Sequence, residues 1–316
     1  MKKAVRLNCL QVAVSLALGL CLQFSAMRAH AGEDIFGYVY TTDLMPKGKY
    51  EFEQWITDRE GQAHGYFHHI DMNSEIEYGV TNNFQVGLYA NYMFADEYHN
   101  SVRGFTEGIE IPWYHDANSP YEAGRFDGLS LELMYRFLNP FLDPVGFAVY
   151  VEPEVGYYEQ SVEYRAIVQK NYLDDMLIFA ANLWVEPDRE QNSNLVDPLT
   201  DNTPPNGAWS TATYAELDIG ASYRFRPNWS VGVEGRNHNE FRGYTLAQSA
   251  QDHSAFFLGP NVHYATQKWY ATLTILRQLG AMTYVQDQAD EQYRGLLYGD
   301  EHTTWDGIRL KIGHPF

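Results

Sequence analysis

The chain has almost no cysteine, few bases, and no apolar run long enough to cross a membrane as a helix. Only Cys9 and Cys21 occur in 316 residues, both near the start. Disulfides and thiolate metal sites are thereby excluded as what holds the bulk of the chain together. Lysine and arginine number 22 against 41 aspartates and glutamates, a formal net charge of −19. Binding to phosphate backbones needs clustered bases, so nucleic acid is excluded as a partner. The longest apolar stretch, Val12 to Leu22, falls short of the ~20 residues of a spanning helix. Also missing are a Gly-x-Ser-x-Gly elbow, a phosphate loop, a zinc motif and a dinucleotide fingerprint, so no cofactor is expected.

The short apolar stretch has a use of its own. Lys2, Lys3 and Arg6 precede it and Ala29-His30-Ala31 follows it, the layout of a Sec-type export signal covering residues 1–31, with cleavage between Ala31 and Gly32. Lipid attachment at Cys21 is disfavoured by Leu20, which stands where a small residue is usual. Cleavage removes both cysteines, four bases and no acid, so the net charge moves from −19 to −23. An exported chain of this size without staples needs another architecture to hold it.

What the chain does have is aromatic rings (24 Tyr, 17 Phe and 7 Trp) and a period of two. Ile76, Tyr78 and Val80 alternate with Glu75, Glu77 and Gly79, and after Thr81-Asn82-Asn83 the pattern returns through Phe84, Val86, Leu88, Ala90, Tyr92 and Phe94. A second hairpin sets Leu217, Ile219, Tyr223 and Phe225 against Glu216, Asp218 and Arg224, then turns at Arg226-Pro227-Asn228. Alternation of this kind predicts twelve strands. They fall near 48–57, 66–80, 84–94, 129–137, 145–157, 163–172, 176–186, 215–225, 229–236, 255–265, 269–279 and 303–316. Short turns mostly alternate with long polar links such as 95–127, 187–213, 240–254 and 280–302. That asymmetry, with an even strand number, predicts an all-β fold: a transmembrane antiparallel up-and-down barrel spanning residues 48–316. Residues 32–47 read as either a periplasmic lead-in or a short strand.

The end of the chain supports the same architecture. Ile308, Leu310, Ile312 and Phe316 form an alternating apolar strand closing on a ring. It is similar to the assembly signal that barrel-assembly machinery reads on outer-membrane barrels. An apolar edge strand would be a liability unless it closed a barrel against strand 48–57. That closure would set Arg309 and Lys311 beside Glu51 and Glu53, with Glu75 and Glu77 one strand further round. Rings beside the short turns, among them Tyr135, Phe137, Tyr223, Trp229 and Trp269, suit a girdle at the headgroup level of outer-membrane lipid.

Four segments carry a family resemblance: Ile35-Phe36-Gly37-Tyr38, Glu51-Phe52-Glu53-Gln54-Trp55, Glu75-Ile76-Glu77-Tyr78-Gly79-Val80-Thr81 and Phe256-Phe257-Leu258-Gly259-Pro260-Asn261-Val262. Together they resemble a family of bacterial outer-membrane proteins known only as a domain of unknown function. The resemblance spans most of the mature chain. It implies a barrel and an outer-membrane location, and it brings no substrate or catalytic residue with it.

Assigning apolar positions outward turns a polar set inward. The acids are Glu51, Glu53, Glu75, Glu77, Glu132, Glu152, Glu154, Glu163, Glu186, Glu216, Asp218 and Glu234; the bases are Arg136, Arg165, Arg224, Arg236, Arg309 and Lys311. Acids outnumber bases two to one, which predicts a channel for small solutes that favours cations. Paired carboxylates such as Glu152 and Glu154 lie ~6.5–7 Å apart along a strand, within reach of glycosidase geometry. Because the pairs recur, they read as lining. Among His64, His68 and His69, the adjacent pair points to opposite faces of a strand and does not chelate. Inward glycines (Gly79, Gly87, Gly146, Gly156, Gly220, Gly232) read equally as a clear passage or as relief of crowding. Two other functions are open: an outer-membrane hydrolase of lipid or lipopolysaccharide, with Ser254, His253 and His302 as candidates by type, and a structural or adhesive barrel. Deleting Phe316 should impair barrel insertion, read as loss of heat-modifiable gel migration; an unchanged surface yield would contradict the closing-strand reading.

Overall fold

The computed structural model describes residues 34–106, 116–191, 209–299 and 302–316. The export segment and its cleavage site lie outside the described residues. Eleven strands follow one another as β1 (Tyr50–Glu60), β2 (Tyr66–Thr81), β3 (Phe84–Tyr98), β4 (Tyr121–Leu138), β5 (Gly146–Gly156), β6 (Glu159–Tyr172), β7 (Leu177–Gln191), β8 (Trp209–Arg226), β9 (Trp229–Arg242), β10 (Gln251–Ala265) and β11 (Tyr270–Thr283). A short helix α1 (Gln286–Asp290) and a two-rung hairpin, β12 (Gln292–Tyr293) and β13 (Leu296–Leu297), then lead to β14 (Trp305–Pro315). β14 pairs with β11 on one side and β1 on the other, closing a twelve-stranded barrel whose neighbours are all antiparallel.

Polarity is inverted relative to a soluble barrel. On β8, Leu217 and Ile219 are 47% and 54% exposed, whereas Glu216 and Asp218 are 2% and 1% exposed. The same holds on β3, β4, β9 and β10, where Leu88, Leu131, Val231 and Leu258 face out. A continuous apolar band around a barrel with a polar interior is the arrangement of a transmembrane β-barrel. Rings cluster beside the short turns: Tyr50 stacks on Phe316 at 5.8 Å and lies 4.5 Å from Tyr78, and Tyr264 sits between Trp229 and Trp269 at 4.7 and 5.3 Å.

Two details depart from the sequence expectation. Several strands run beyond their predicted outer ends; β4 and β8 reach 18 residues each, against the ~9–11 a tilted strand needs to cross the hydrocarbon. Above the membrane both faces meet water, so the apolar alternation stops while the hydrogen-bond ladder continues. The seam forms as expected, but in a different register. Glu51 lies opposite Pro315 and Glu53 opposite Gly313, while Lys311 faces Trp55 and Arg309 faces Thr57. A Cβ on Gly313 would fall 2.2 Å from the Tyr270 ring, so this glycine admits the tyrosine, whose hydroxyl lies against Glu51 and Glu53. Tyrosine thus takes the place expected for Arg309 and Lys311.

Residues 34–49 form no strand; 34–46 run inside the barrel. The extended segment makes nearly a full circuit of the wall, from β14 and β11 past β9, β7, β6, β4 and β3 to β2. The N–H groups of Gly37, Tyr38 and Val39 donate to the Glu234 carboxylate at 2.9, 2.7 and 3.1 Å. Asn182 both accepts from Tyr40 N–H (2.6 Å) and donates to Tyr40 O (2.9 Å). Thr42 N–H donates to Gln169 Oε1 at 2.7 Å and Met45 N–H to Gln85 Oε1 at 2.6 Å. Backbone groups that lack a ladder must find such partners. Apolar side chains of the segment seat in three small clusters: Leu44 with Met134, Tyr150 and Ile167; Phe36 with Val39 and Ala180; Tyr38 with Phe257 and Leu276.

Three of the six inward glycines follow from this segment. A Cβ on Gly220 would lie 2.8 Å from the Phe36 ring, one on Gly146 2.4 Å from Thr42 Oγ1, and one on Gly79 2.3 Å from Pro46 O. At these three positions, then, the space is filled by the segment. Hydrogen bonds to a charged group contribute ~1.5–3 kcal/mol each. Glu234→Gln should therefore raise hydrogen–deuterium exchange at Gly37–Val39 by at least tenfold while leaving the β7–β9 amides protected. Unchanged exchange would mean the segment is held by something else.

Candidate functional site

The interior is divided into two spaces. The outer one is a cavity of about 400 Å³ whose lining includes twelve carboxylates and four arginines. The inner one, on the short-turn side, is about 20 Å³, room for a single water. Tyr40 and Trp55 border both spaces and form the partition between them. The two rings meet edge to face at 6.3 Å, backed by Tyr150 against Tyr40 at 5.2 Å and Tyr89 against Trp55 at 5.7 Å.

Bases of the wall lie on these rings. Arg165 stacks 4.3 Å above Tyr40, Arg309 3.8 Å above Tyr38, and Lys311 Nζ 3.7 Å above Trp55. Each is also tied at its charged end: Arg165 to Glu163 at 2.7 Å, Arg309 to Gly37 O at 3.2 Å, and Lys311 to Asp34 at 2.6 Å. Arg236 bridges Glu216 and Asp306, and lies 4.8 Å from the Tyr38 ring. Cation–π contacts of this kind hold ~0.5–2 kcal/mol apiece. Arg165, Arg236 and Arg309 are thus gathered onto the floor of the cavity, while Arg59 pairs with Asp71 among the carboxylates of the wall.

The expected inward residues separate into groups. Glu152, Glu154, Glu163, Glu186, Glu216, Asp218, Arg165, Arg236 and Arg309 line the outer cavity. Glu51, Glu77 and Glu132 border the small inner space, and Glu53 and Glu75 are buried beside it. Glu132 accepts from Gln85 at 2.8 Å and from Tyr89 at 3.2 Å. Glu234 is taken up by the N-terminal segment, together with Asn261 and Thr274, both donating at 2.7 Å. Arg136 donates to Thr42 O and Asn82 O, and Arg224 reaches Asp175 O at the short-turn rim. Of the closing-strand residues, Phe316 stacks on Tyr50, and Ile308, Leu310 and Ile312 lie in the β14 ladder.

His68 and His69 do point apart: the His68 side chain is half exposed beside Asp58 and Glu60, whereas His69 is buried against Asp71 and Glu97. Ser254 Oγ accepts from Asn237 Nδ2 at 2.9 Å. Sequence reasoning missed Tyr38, Tyr40 and Trp55 as the partition, and Gln85, Gln169 and Asn182 as its supports. One signal was available. Met134, Ile167, Phe257 and Leu276 are apolar residues on otherwise polar inner faces, and each packs against the N-terminal segment.

A polar-lined, inside-out barrel of this kind defines a transmembrane β-barrel with an internal cavity. The chain belongs to a family of unknown function, DUF6662, whose model matches residues 28–316. No curated protein matches it. Among solved structures it is similar to the COG4313 outer membrane channel from Pseudomonas putida F1, with 11% identity, a TM-score of 0.50, and coverage of 86% of this chain and 97% of that one. The NanC porin aligns at 9% identity and a TM-score of 0.45, covering 83% and 97%. The CymD monoaromatic hydrocarbon channel aligns at 10% identity and 0.40, covering 92% and 97%. At such identities the likeness speaks for the fold alone.

Proposed function

We propose that this protein is a bacterial outer-membrane channel for small solutes, biased toward cations and held shut by its own N-terminal segment. The observation that carries the reading is the outer cavity, lined by twelve carboxylates against four arginines and floored by Tyr38 and Tyr40. A volume of about 400 Å³ lies toward the low end of small-molecule sites, ~300–1,000 Å³. Carboxylate-lined constrictions favour cations, and a low-dielectric wall focuses their field. The apolar outer band suits contact with outer-membrane lipid, and the β14 edge suits handling by barrel-assembly machinery before it pairs with β1.

Opening requires the segment to leave the partition. The polar character of its main contacts, side-chain amides and one carboxylate, favours exchange for water over the breaking of a dry core. The hydrolase reading receives less support, because Ser254 accepts a hydrogen bond from Asn237, which does not activate the hydroxyl.

In planar bilayers the full chain should show brief openings, and Glu234→Gln should increase the open fraction at least tenfold. The reversal potential in a salt gradient should lie on the cation side, more so in dilute electrolyte, where the Debye length grows from ~10 Å at 0.1 M to ~30 Å at 0.01 M. An anion-side potential, or no current from either chain, would overturn the proposal.

A further inference from the structure

Three histidines converge at the outer end of the cavity, on the side away from the short turns. His238 comes from β9, His253 from β10, and His302 from the stretch just before β14; they are 4%, 1% and 4% exposed. A ring nitrogen from each lies within 4.8 Å of the others, and the ring centroids are 5.9, 5.5 and 4.5 Å apart. We propose that His238, His253 and His302 bind one divalent transition-metal ion of the zinc, cobalt, nickel or copper kind, with a further coordination position facing the cavity.

The surroundings of the rings carry the argument further than their proximity does. His238 Nδ1 lies 2.9 Å from Glu216 Oε2, and that carboxylate is itself held by Arg236 Nη2 at 2.9 Å. A carboxylate on one imidazole nitrogen fixes the tautomer and raises the basicity of the other, the usual support of a metal-binding histidine. His253 Nδ1 has a second carboxylate, Glu240, at 3.6 Å. His302 is held by its backbone: its N–H donates to Gly299 O at 2.9 Å, and its carbonyl accepts from Gln62 Nε2 at 3.2 Å. Gln62 is in turn fixed by Asn100 at 2.6 Å, so partners from β8, β9 and the links after β1, β3 and β13 hold the three rings in place.

The chemistry of the donors selects the metal. Imidazole suits zinc, copper and nickel, whereas calcium and magnesium require oxygen shells. Zn–N bonds of ~2.0–2.1 Å place tetrahedral ligand nitrogens about 3.4 Å apart. Small rotations of rings already within 4.8 Å reach that spacing. His238 and His302 also line the cavity, so the remaining coordination position faces a space rich in carboxylates, which concentrates dications near the site. Such an ion would tie the chain before β14 to the wall at β9 and β10.

The test uses the full chain, folded in detergent and carrying no polyhistidine tag. Titration with cobalt(II) should give one equivalent of binding with tetrahedral d–d absorption, and calorimetry with zinc should give the same stoichiometry. His302→Ala, outside the barrel ladder, should weaken zinc binding at least tenfold while heat-modifiable migration stays intact; His64→Ala should leave the affinity unchanged. X-ray absorption at the zinc edge of the unaltered protein should show imidazole scatterers at ~2.0–2.1 Å. Absence of stoichiometric binding, an unchanged affinity in His302→Ala, or an all-oxygen shell would each overturn the proposal. Because binding is read without any current, the result is independent of the channel reading.

Discussion

The structure depends most on one carboxylate inside the barrel. Glu234 accepts from three consecutive backbone N–H groups, Gly37 to Val39, and from Asn261 and Thr274. Consecutive amides turned toward one anion form a nest, which suits a carboxylate better than any neutral acceptor. Everything that makes the interior closed follows from the chain being held there. Phe36 is placed over Gly220, Tyr38 under Arg309, and Tyr40 beside Trp55.

This arrangement also sets the electrostatics of the cavity. A wall with three times as many carboxylates as arginines would repel itself in a dry interior. The N-terminal segment offsets this in two ways: its backbone amides satisfy Glu234, and its rings and carbonyls take the faces and tips of Arg165, Arg309 and Lys311. The acids that remain on the cavity wall face the outer space. Closure and the proposed charge selectivity therefore rest on one set of contacts. Removing the segment would both widen the passage and release bases from its floor.

The barrel was readable from the sequence because lipid on one face and polar groups on the other impose strict alternation over the height of the membrane. Stretches such as Leu217 to Phe225 mark strands with one apolar face, and the short turns and the rings beside them separate a membrane barrel from a soluble sandwich. Legibility ends where that constraint ends. The outer extensions of β4 and β8 carry polar residues on both faces, so no period marks them. The seam register was illegible for a different reason: a slip by an even number of residues leaves every side chain on its own face, so Lys311 points inward whether it lies beside Glu51, Glu53 or Trp55. The N-terminal segment has no period at all. Its partners lie up to 277 residues away on several strands, and only the apolar residues on inner faces hint at it. The three histidines likewise come from separate strands and a loop, with no spacing motif to announce them.

The central claim, that residues 34–46 occupy the interior and close it, can be tested by locking them in place. An ideal Cβ on Gly37 falls 2.7 Å from Thr274 Cβ, so a small shift of the segment reaches the ~3.8 Å that a disulfide needs. Gly37→Cys combined with Thr274→Cys should cross-link under mild oxidation, abolish openings in a planar bilayer, and recover them on reduction. If the cysteines fail to cross-link, or if current is the same in the oxidised and reduced protein, the segment is not the gate.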